Sequence, residues 1–262
     1  MEISDQAPPW TTALITGASS GIGEALARNL AARGVHVIVT ARRLPLLKKI
    51  ASEIIRAGGK ATAVRLDVAK ADATARTIVA LDKKFGGIDL VIANAGVGIP
   101  RDLPHSWSWP AIRDATHINY AGALATITAL LPSMVARGRG HVVAMSSLAS
   151  YTALPDAAGY SSPKAGLSRF MECLALDLQQ TGVAVTTVHV GFVATPIVAE
   201  STIPLPFLMP ADKAADYMLR RILRRKREIN FPKPMVFLVY LMAKLPFFAK
   251  KFLARKFSPA RG

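Results

Sequence analysis

In the stretch GYSSPKAG, Tyr160 and Lys164 stand four residues apart, so a helix there puts a phenol and an ammonium on one face. A cation beside a phenol favours the phenolate, and the expected effect is a tyrosine pKa lowered from about 10 toward working pH. Tyr160 is thereby a candidate acid for a carbonyl oxygen, or base for an alcohol. A Tyr/Lys pair at this spacing is common on helices, so its chemistry depends on which other groups join it.

Upstream, TGASSGIG (16–23) joins an apolar run to an amphipathic one. Gly17, Gly21 and Gly23, with Ser19, Ser20 and Ile22 among them, suit a tight strand-to-helix turn. Such a turn brings free backbone N–H groups and a helix N-terminus up to a phosphate. The spacing is G-x-x-x-G-x-G rather than the commoner G-x-G-x-x-G. At the end of the next apolar run, dinucleotide sites usually carry an acid for the ribose hydroxyls. Here the sequence reads TARR: Ala41 holds that place, and Arg42 and Arg43 follow. A missing acid and a guanidinium fork favour a 2′-phosphate, hence NADP(H) over NAD(H). A solvated surface arginine is the alternative reading.

Taken together, TGASSGIG, LDV, NAG, INY, SS and YSSPK, in this order and spacing, resemble the short-chain dehydrogenase/reductase family over about residues 11–196. The resemblance implies one Rossmann-type domain, a doubly wound parallel sheet of about seven strands with helices on both faces. It implies that Ser147, thirteen positions before Tyr160 and preferred to its neighbour Ser146, hydrogen-bonds the substrate oxygen while Tyr160 transfers the proton. Lys164 would tune Tyr160 and hold the nicotinamide ribose. Asn119 would fix a water in the proton relay, a role compatible with a buried amide that ties elements together. Asp67 and Val68 are implied as adenine contacts, Asn94, Ala95 and Gly96 as the lining of the adenine ribose, and Val193 and Thr195 as contacts of the nicotinamide carboxamide. Family members associate through two long helices, which implies a homodimer or homotetramer. The chain departs from the pattern at Val190-Gly191, where Pro-Gly is usual. Pro163, between Tyr160 and Lys164, is expected within a first helical turn, where a missing N–H costs little.

These groups need elements to hold them. TALIT (12–16), VHVIVT (35–40), KATAVRLDV (60–68), IDLVIANAG (88–96), GHVVAMSS (140–147) and VAVTTVHVG (183–191) are apolar runs that read as strands buried on both faces. Amphipathic stretches over 21–34, 44–59, 71–85, 112–137 and 158–181 predict the intervening helices, and INF (229–231) a last strand. Strands alternating with helices give an α/β parallel sheet covered on both faces. With no repeat or linker in between, residues 1–232 read as one catalytic domain and 233–262 as a basic extension.

Composition bounds the rest. The 262 residues are 51% hydrophobic and 19% charged, enough to bury a full core and contrary to disorder. The single cysteine, Cys173, excludes an internal disulfide and suits a reducing compartment; its place in FMECLAL predicts a buried structural thiol. The opening MEISDQAPPW has no basic stretch leading into an apolar one, so no signal peptide and a cytoplasmic location are expected. His36, His105, His117, His141 and His189 show no metal-ligand spacing, and no metal is expected.

Of the net charge of +16, residues 213–262 contribute most: 14 Lys and Arg against 2 acids, where residues 1–212 have 19 against 15. An anionic neighbour is implied. In PMVFLVYLMAKLPFFAKKFLARKF (234–257) the longest uncharged run is ten residues, 234–243. A membrane span needs about twenty, so spanning is excluded. Pro246 should break the helix, and Lys244, Lys251 and Arg255 should form a polar stripe. The tail reads either as an interfacial helix giving peripheral contact with an anionic membrane surface, or as a cover docked on its own domain or a sister subunit. Nucleic acid is disfavoured, because the aromatics are Phe within aliphatic runs.

The segment TPIVAESTIPLPFLMP (195–210), with Ile203, Leu205, Phe207, Leu208 and Met209, predicts an apolar lid and so a hydrophobic carbonyl/alcohol substrate; internal packing of these residues is the alternative. The expected function is NADP(H)-dependent interconversion of a ketone or aldehyde with its alcohol. Epimerisation or dehydration through transient oxidation, and a non-catalytic nucleotide-sensing role, are the alternatives.

Overall fold

The structure, a computed structural model, describes residues 8–99, 108–199 and 205–257, the last three of these by backbone alone. His105, Ile203 and residues 258–262 lie outside the described residues.

Seven strands form one parallel sheet: β1 (Thr12–Thr16), β2 (His36–Ala41), β3 (Lys60–Arg65), β4 (Leu90–Ala93), β5 (Gly140–Ser147), β6 (Val183–Val190) and, late in the chain, β9 (Glu228–Phe231). Their order is β3-β2-β1-β4-β5-β6-β9. The chain winds outward from β1 to β3, then returns to place β4 on the other side of β1. The crevice at the carboxyl ends of β1 and β4 is therefore the switch point of the sheet, where ligands bind in such folds.

The six sequence-predicted strands and the last one are all present. Because residues alternate across the pleat, Ala13, Ile15, Leu90 and Ile92 pack into one apolar layer, and Leu14, Val91 and Ala93 into the other. The first layer is closed by α1 (Gly21–Ala31), α2 (Leu44–Arg56) and α9 (Ala211–Leu223), which supply Leu26, Leu30, Leu47, Met218 and Leu219. The second is closed by α3 (Ala71–Lys84), α5 (Gly122–Thr128) and α7 (Ala158–Asp177), which supply Ile78, Ile127, Leu167 and Met171. Both faces being covered explains strands that are apolar throughout.

Three local expectations are corrected. The helix predicted over 112–137 is two: one runs unbroken from α4 (Trp109–Thr116) through a π turn at His117–Ala121 into α5, and α6 (Leu131–Ala136) follows. Pro132 cannot donate to the Thr128 carbonyl, so the helix ends and restarts there. The stretch 109–136 is apolar enough by composition to cross a bilayer, yet Ala123, Ile127, Leu130 and Met134 are buried in the second layer. Pro163 is the sixth residue of α7, beyond the first turn, so it removes a bond that would close on the Gly159 carbonyl, a loss of about 3 kcal/mol that packing must offset. Cys173 is exposed, not buried: α7 buries Leu167, Met171 and Leu174, and the intervening cysteine turns outward.

A two-residue ladder, β7 (Val193–Ala194) on β8 (Met209–Pro210), was not anticipated; it ties both ends of the lid segment, which begins with α8 (Pro196–Ala199). After β9 come α10 (Lys233–Lys244) and α11 (Phe247–Phe257), interrupted at Leu245-Pro246 as the proline predicts.

Two histidines are buried in the sheet. His141 on β5 is hydrogen-bonded to Thr186 Oγ1 (2.8 Å) and packs 5.6 Å from the Trp10 ring. His189 on β6 is hydrogen-bonded to Tyr151 (3.0 Å) and Ser168 (3.1 Å). Burial lowers both from 6.5, to about 3 for His141, with Arg225 adding repulsion, and to about 4 for His189. The unfolded chain therefore binds more protons than the fold between those values and 6.5, and stability must fall as pH drops through that window. Denaturant titrations from pH 7 to pH 4 are expected to show this loss, and a His141→Gln, His189→Gln double variant to show a flatter slope. An unchanged slope in the variant would refute the assignment.

Candidate active site

The carboxyl ends of β1 and β4 are clamped together by side chain–backbone bonds. Thr16 Oγ1 accepts from the N–H groups of Asn94 and Ala95 (both 3.1 Å), and Asn94 Nδ2 donates to the carbonyls of Thr16 (2.9 Å) and Gly17 (3.3 Å). Gly17 turns the chain with φ +67°, and a Cβ there would stand 2.7 Å from the Ala95 Cα. A Cβ on Gly23 would meet the Asn94 amide at 2.5 Å, so α1 can approach the clamp only because that residue is glycine. The turn delivers the N-terminus of α1 into the crevice, with no side-chain cap from Ser20 over its free N–H groups.

Around this turn lies a cavity of about 430 Å³. Gly17, Ser19, Ser20, Gly21, Ile22, Arg42, Arg43, Asp67, Val68, Asn94, Ala95, Gly96, Tyr160, Lys164, Val193 and Thr195 all line it, so nearly every sequence-predicted site residue meets in one place. Gly23, Asn119 and Ser147 are not among its lining residues, and Ser146 is; Gly23 stands against Gly17 and Asn94, Asn119 is bonded to Val97, and Ser147 to Val190. Arg43 Nη2 donates to Ser19 Oγ (2.9 Å) and Ser20 Oγ (3.0 Å), tying the end of β2 to the glycine turn. Arg42 is exposed at the rim, and among the described residues its side chain makes no hydrogen bond or ion pair. Uncapped helix N–H groups and two guanidinium groups make this end of the cavity a phosphate site by chemistry. Among the described residues no group of three or more His, Cys, Asp or Glu is placed to hold a metal ion.

At the other end, Asn119 is fully buried in the π turn, a conformation that often marks functional sites. Its Oδ1 accepts from Val97 N–H (2.8 Å) and its Nδ2 donates to the Val97 carbonyl (2.9 Å), which fixes the chain leaving β4. Lys164, 4% exposed, donates from Nζ to the Met145 carbonyl (2.7 Å). Ser146 and Ser147 point to opposite faces of β5. The Ser146 hydroxyl is spent on the Lys164 carbonyl (3.1 Å) and Ser168 (2.7 Å); the Ser147 hydroxyl accepts from the Ala149 N–H (3.1 Å), reaches the Val190 carbonyl only at 3.4 Å, and is close enough to the Tyr160 phenol to lower its pKa.

The expected lowering of the Tyr160 pKa is corrected. Burial raises it, and the Ser147 hydrogen bond acts in the opposite direction. Lys164 is not among the causes of that shift, and burial lowers its own pKa from 10.5 to about 8. The sequence reading missed the Met145 carbonyl that holds Lys164, and the cavity-wall residues Gly191, Ile197 and Val198. Gly191 carried a signal as half of the Val-Gly departure; a backbone carbonyl partner has none, because no residue type encodes it. Of the lid, Phe207 and Leu208 are exposed and Met209 packs against the core.

Comparison with known proteins agrees with this geometry. The family model described as short chain dehydrogenase matches residues 11–204. A protein of Myxococcus xanthus named as an uncharacterized oxidoreductase is 48% identical over 226 residues, 85% of this chain and 88% of the relative. A fatty acyl-CoA reductase of Acinetobacter baylyi is 31% identical over 220 residues, 83% of this chain and 74% of the relative. Among solved structures, an alcohol dehydrogenase from the archaeon Thermococcus sibiricus, complexed with 5-hydroxy-NADP, superposes with a TM-score of 0.74 at 29% identity, covering 84% of this chain and 95% of the other.

Burial of Lys164 makes a signed prediction. Between about pH 8 and 10.5 the unfolded chain holds the lysine proton and the fold does not, so this group makes stability rise with pH across that window. Lys164→Met should raise unfolding stability at pH 7 by about 3 kcal/mol, less whatever the Met145 bond contributes, and the gap should close as pH climbs to 10.5. Chemical denaturation of both proteins across that range reads it; a pH-independent gap would overturn the assignment.

Proposed function

The chain belongs to the short-chain dehydrogenase family and is an oxidoreductase; on that premise we propose that it uses NADP(H) to interconvert an apolar aldehyde or ketone with its alcohol. The observation that carries the reading is the meeting, in one cavity, of an arginine-flanked phosphate end with the Tyr160/Lys164 pair. The cavity fits the cofactor by the uncapped α1 N-terminus, by the close approach that Gly17 and Gly23 allow, and by Ala41 where an acid would select NAD(H), with Arg42 beside it. The solved relative with a bound NADP derivative supports the same choice.

When bound, the nicotinamide would supply or accept the hydride. Gly17, Ser19, Ser20, Gly21, Ile22 and Gly23 would hold the pyrophosphate, Arg42 and Arg43 the 2′-phosphate, Asp67 and Val68 the adenine, and Asn94, Ala95 and Gly96 its ribose. Val193 and Thr195 would orient the carboxamide. In the direction of reduction, Tyr160 gives its phenolic proton to the carbonyl oxygen while the Ser147 hydroxyl holds the same oxygen. A neutral phenol in the resting site suits an acid. The Lys164 ammonium then stabilises the phenolate left behind, and its hold on the Met145 carbonyl keeps it one turn from Tyr160. Asn119 has spent both amide groups on Val97, so a water in the proton path would be held by its main chain.

An apolar substrate is supported by Ile118, Val190, Val193, Ile197 and Val198 in the cavity wall and by the exposed Phe207 and Leu208 on the lid segment. The relative named as a fatty acyl-CoA reductase supports a carbonyl at the end of a long apolar chain. We read residues 1–232 as the catalytic domain and 233–262 as an extension of it, and association of the long helices as the basis of a homo-oligomer.

Tyr160→Phe should lower turnover of a long-chain aldehyde with NADPH by about 100-fold or more, while NADPH still binds; full turnover in that variant would sink the mechanism. For the cofactor, Arg42→Ala should weaken NADPH by about 10- to 100-fold and leave NADH unchanged. Fluorescence titration of both cofactors decides this, and equal wild-type affinities would refute the 2′-phosphate argument.

A further inference from the structure

Beyond Glu228 the chain holds no acidic residue: residues 229–262 contain seven lysines and arginines and no Asp or Glu. The fold turns most of this segment into α10 and α11, and one face of α10 holds the domain. Val239 is buried, and the Met235 sulfur lies 2.7 Å from where a Cβ on Gly191 would stand. Tyr240 accepts a hydrogen bond from Asn230 Nδ2 (3.2 Å), and its ring packs 5.0 Å from Tyr151. Lys250 reaches back to the Ala243 carbonyl (3.2 Å), which ties α11 to the end of α10.

The remaining surface of the two helices carries Phe237, Leu238, Leu241, Phe247, Phe248 and Phe252, each 46–76% exposed. Single exposed apolar side chains are ordinary, but six large ones on consecutive helices are not. Exposed Lys244 and Lys251 stand among them, and the segment has no acid to pair with either. A second copy docking face to face would bring like charges together, and nucleic acid would leave the phenylalanines in water. Anionic headgroups over an acyl layer answer both features at once: rings enter the acyl boundary while lysines meet the headgroup charge.

We propose that α10 and α11 dock the protein on the surface of an anionic phospholipid bilayer. The helices lie on the bilayer rather than across it, since they are 12 and 11 residues long and broken at Leu245-Pro246. Met235 of the docked helix touches Gly191, and Gly191 lines the cavity, so docking holds the cavity one side chain from the membrane-bound helix. Delivery of apolar substrates to that cavity rests on the proposed reaction; the docking itself does not.

The test is co-sedimentation of the full chain with vesicles of phosphatidylcholine alone, with vesicles that also contain phosphatidylglycerol, and without vesicles. Binding should require phosphatidylglycerol and weaken at high salt. A Phe247→Ala, Phe248→Ala, Phe252→Ala triple variant and a Lys244→Glu, Lys251→Glu double variant should each lose about tenfold or more in partitioning, with NADPH binding and unfolding midpoint unchanged. Three results would overturn the proposal: no partitioning into either vesicle, equal partitioning into both, or self-association in free solution that the phenylalanine variant abolishes. Each can occur with NADPH-dependent turnover intact, so loss of docking and loss of the proposed reaction are told apart.

Discussion

The approach of β1 to β4 is the constraint on which the site depends. Parallel neighbours whose connections run in opposite directions leave a crevice at their carboxyl ends, and Thr16 and Asn94 hold it at a set width with four hydrogen bonds. Each such bond is worth about 1 kcal/mol net. Their larger effect is geometric: with Gly17 and Gly23 admitting no side chain, the α1 N-terminus faces the crevice and phosphate chemistry follows. Substituting either glycine would drive a Cβ into backbone or into the Asn94 amide. The same close approach is repeated at Gly122, where a Cβ would lie 2.5 Å from the Val68 carbonyl and push the helix carrying Asn119 away.

The Tyr160/Lys164 pair is assembled at a cost to stability. Lys164 is an almost wholly buried ammonium with a single carbonyl partner, and α7 carries a proline between it and Tyr160. Both features oppose folding, and both are retained where the packing of Leu167, Met171 and Leu174 over-determines the helix. On the far side of α7, Ser146, Ser168, His189, Tyr151, Asn230 and Tyr240 form a continuous hydrogen-bonded series from β5 to α10. Helix α10 is thus joined to the sheet by polar contacts as well as by Met235.

Much of this was legible from residues alone, for identifiable reasons. Strands apolar on both faces can exist only in a covered parallel sheet, so β1, β4 and β5 announce their positions. Glycine turns and the TARR segment carry their chemistry in residue type. Features that depend on direction rather than type are not legible in the residues. Cys173 sits in an apolar-looking run, yet the helical period turns it outward. A helix read over 112–137 breaks because Pro132 falls where a donor is required. Adjacency on one helix face predicts a lowered Tyr160 pKa, whereas desolvation of both groups dominates.

By itself, then, the sequence determined the layer architecture, the order of the strands along the chain, most but not all of the residues that meet in the cavity and the absence of acid after Glu228. Those are properties of residue identity and period, which survive without knowledge of neighbours. Tertiary structure alone decided what holds the Ser146 hydroxyl, which carbonyl holds Lys164, and which face of α10 is spent on the domain. Each of these depends on a partner far away in the chain: Ser168, Met145 and Gly191 acquire their meaning only when the sheet brings them within bonding distance.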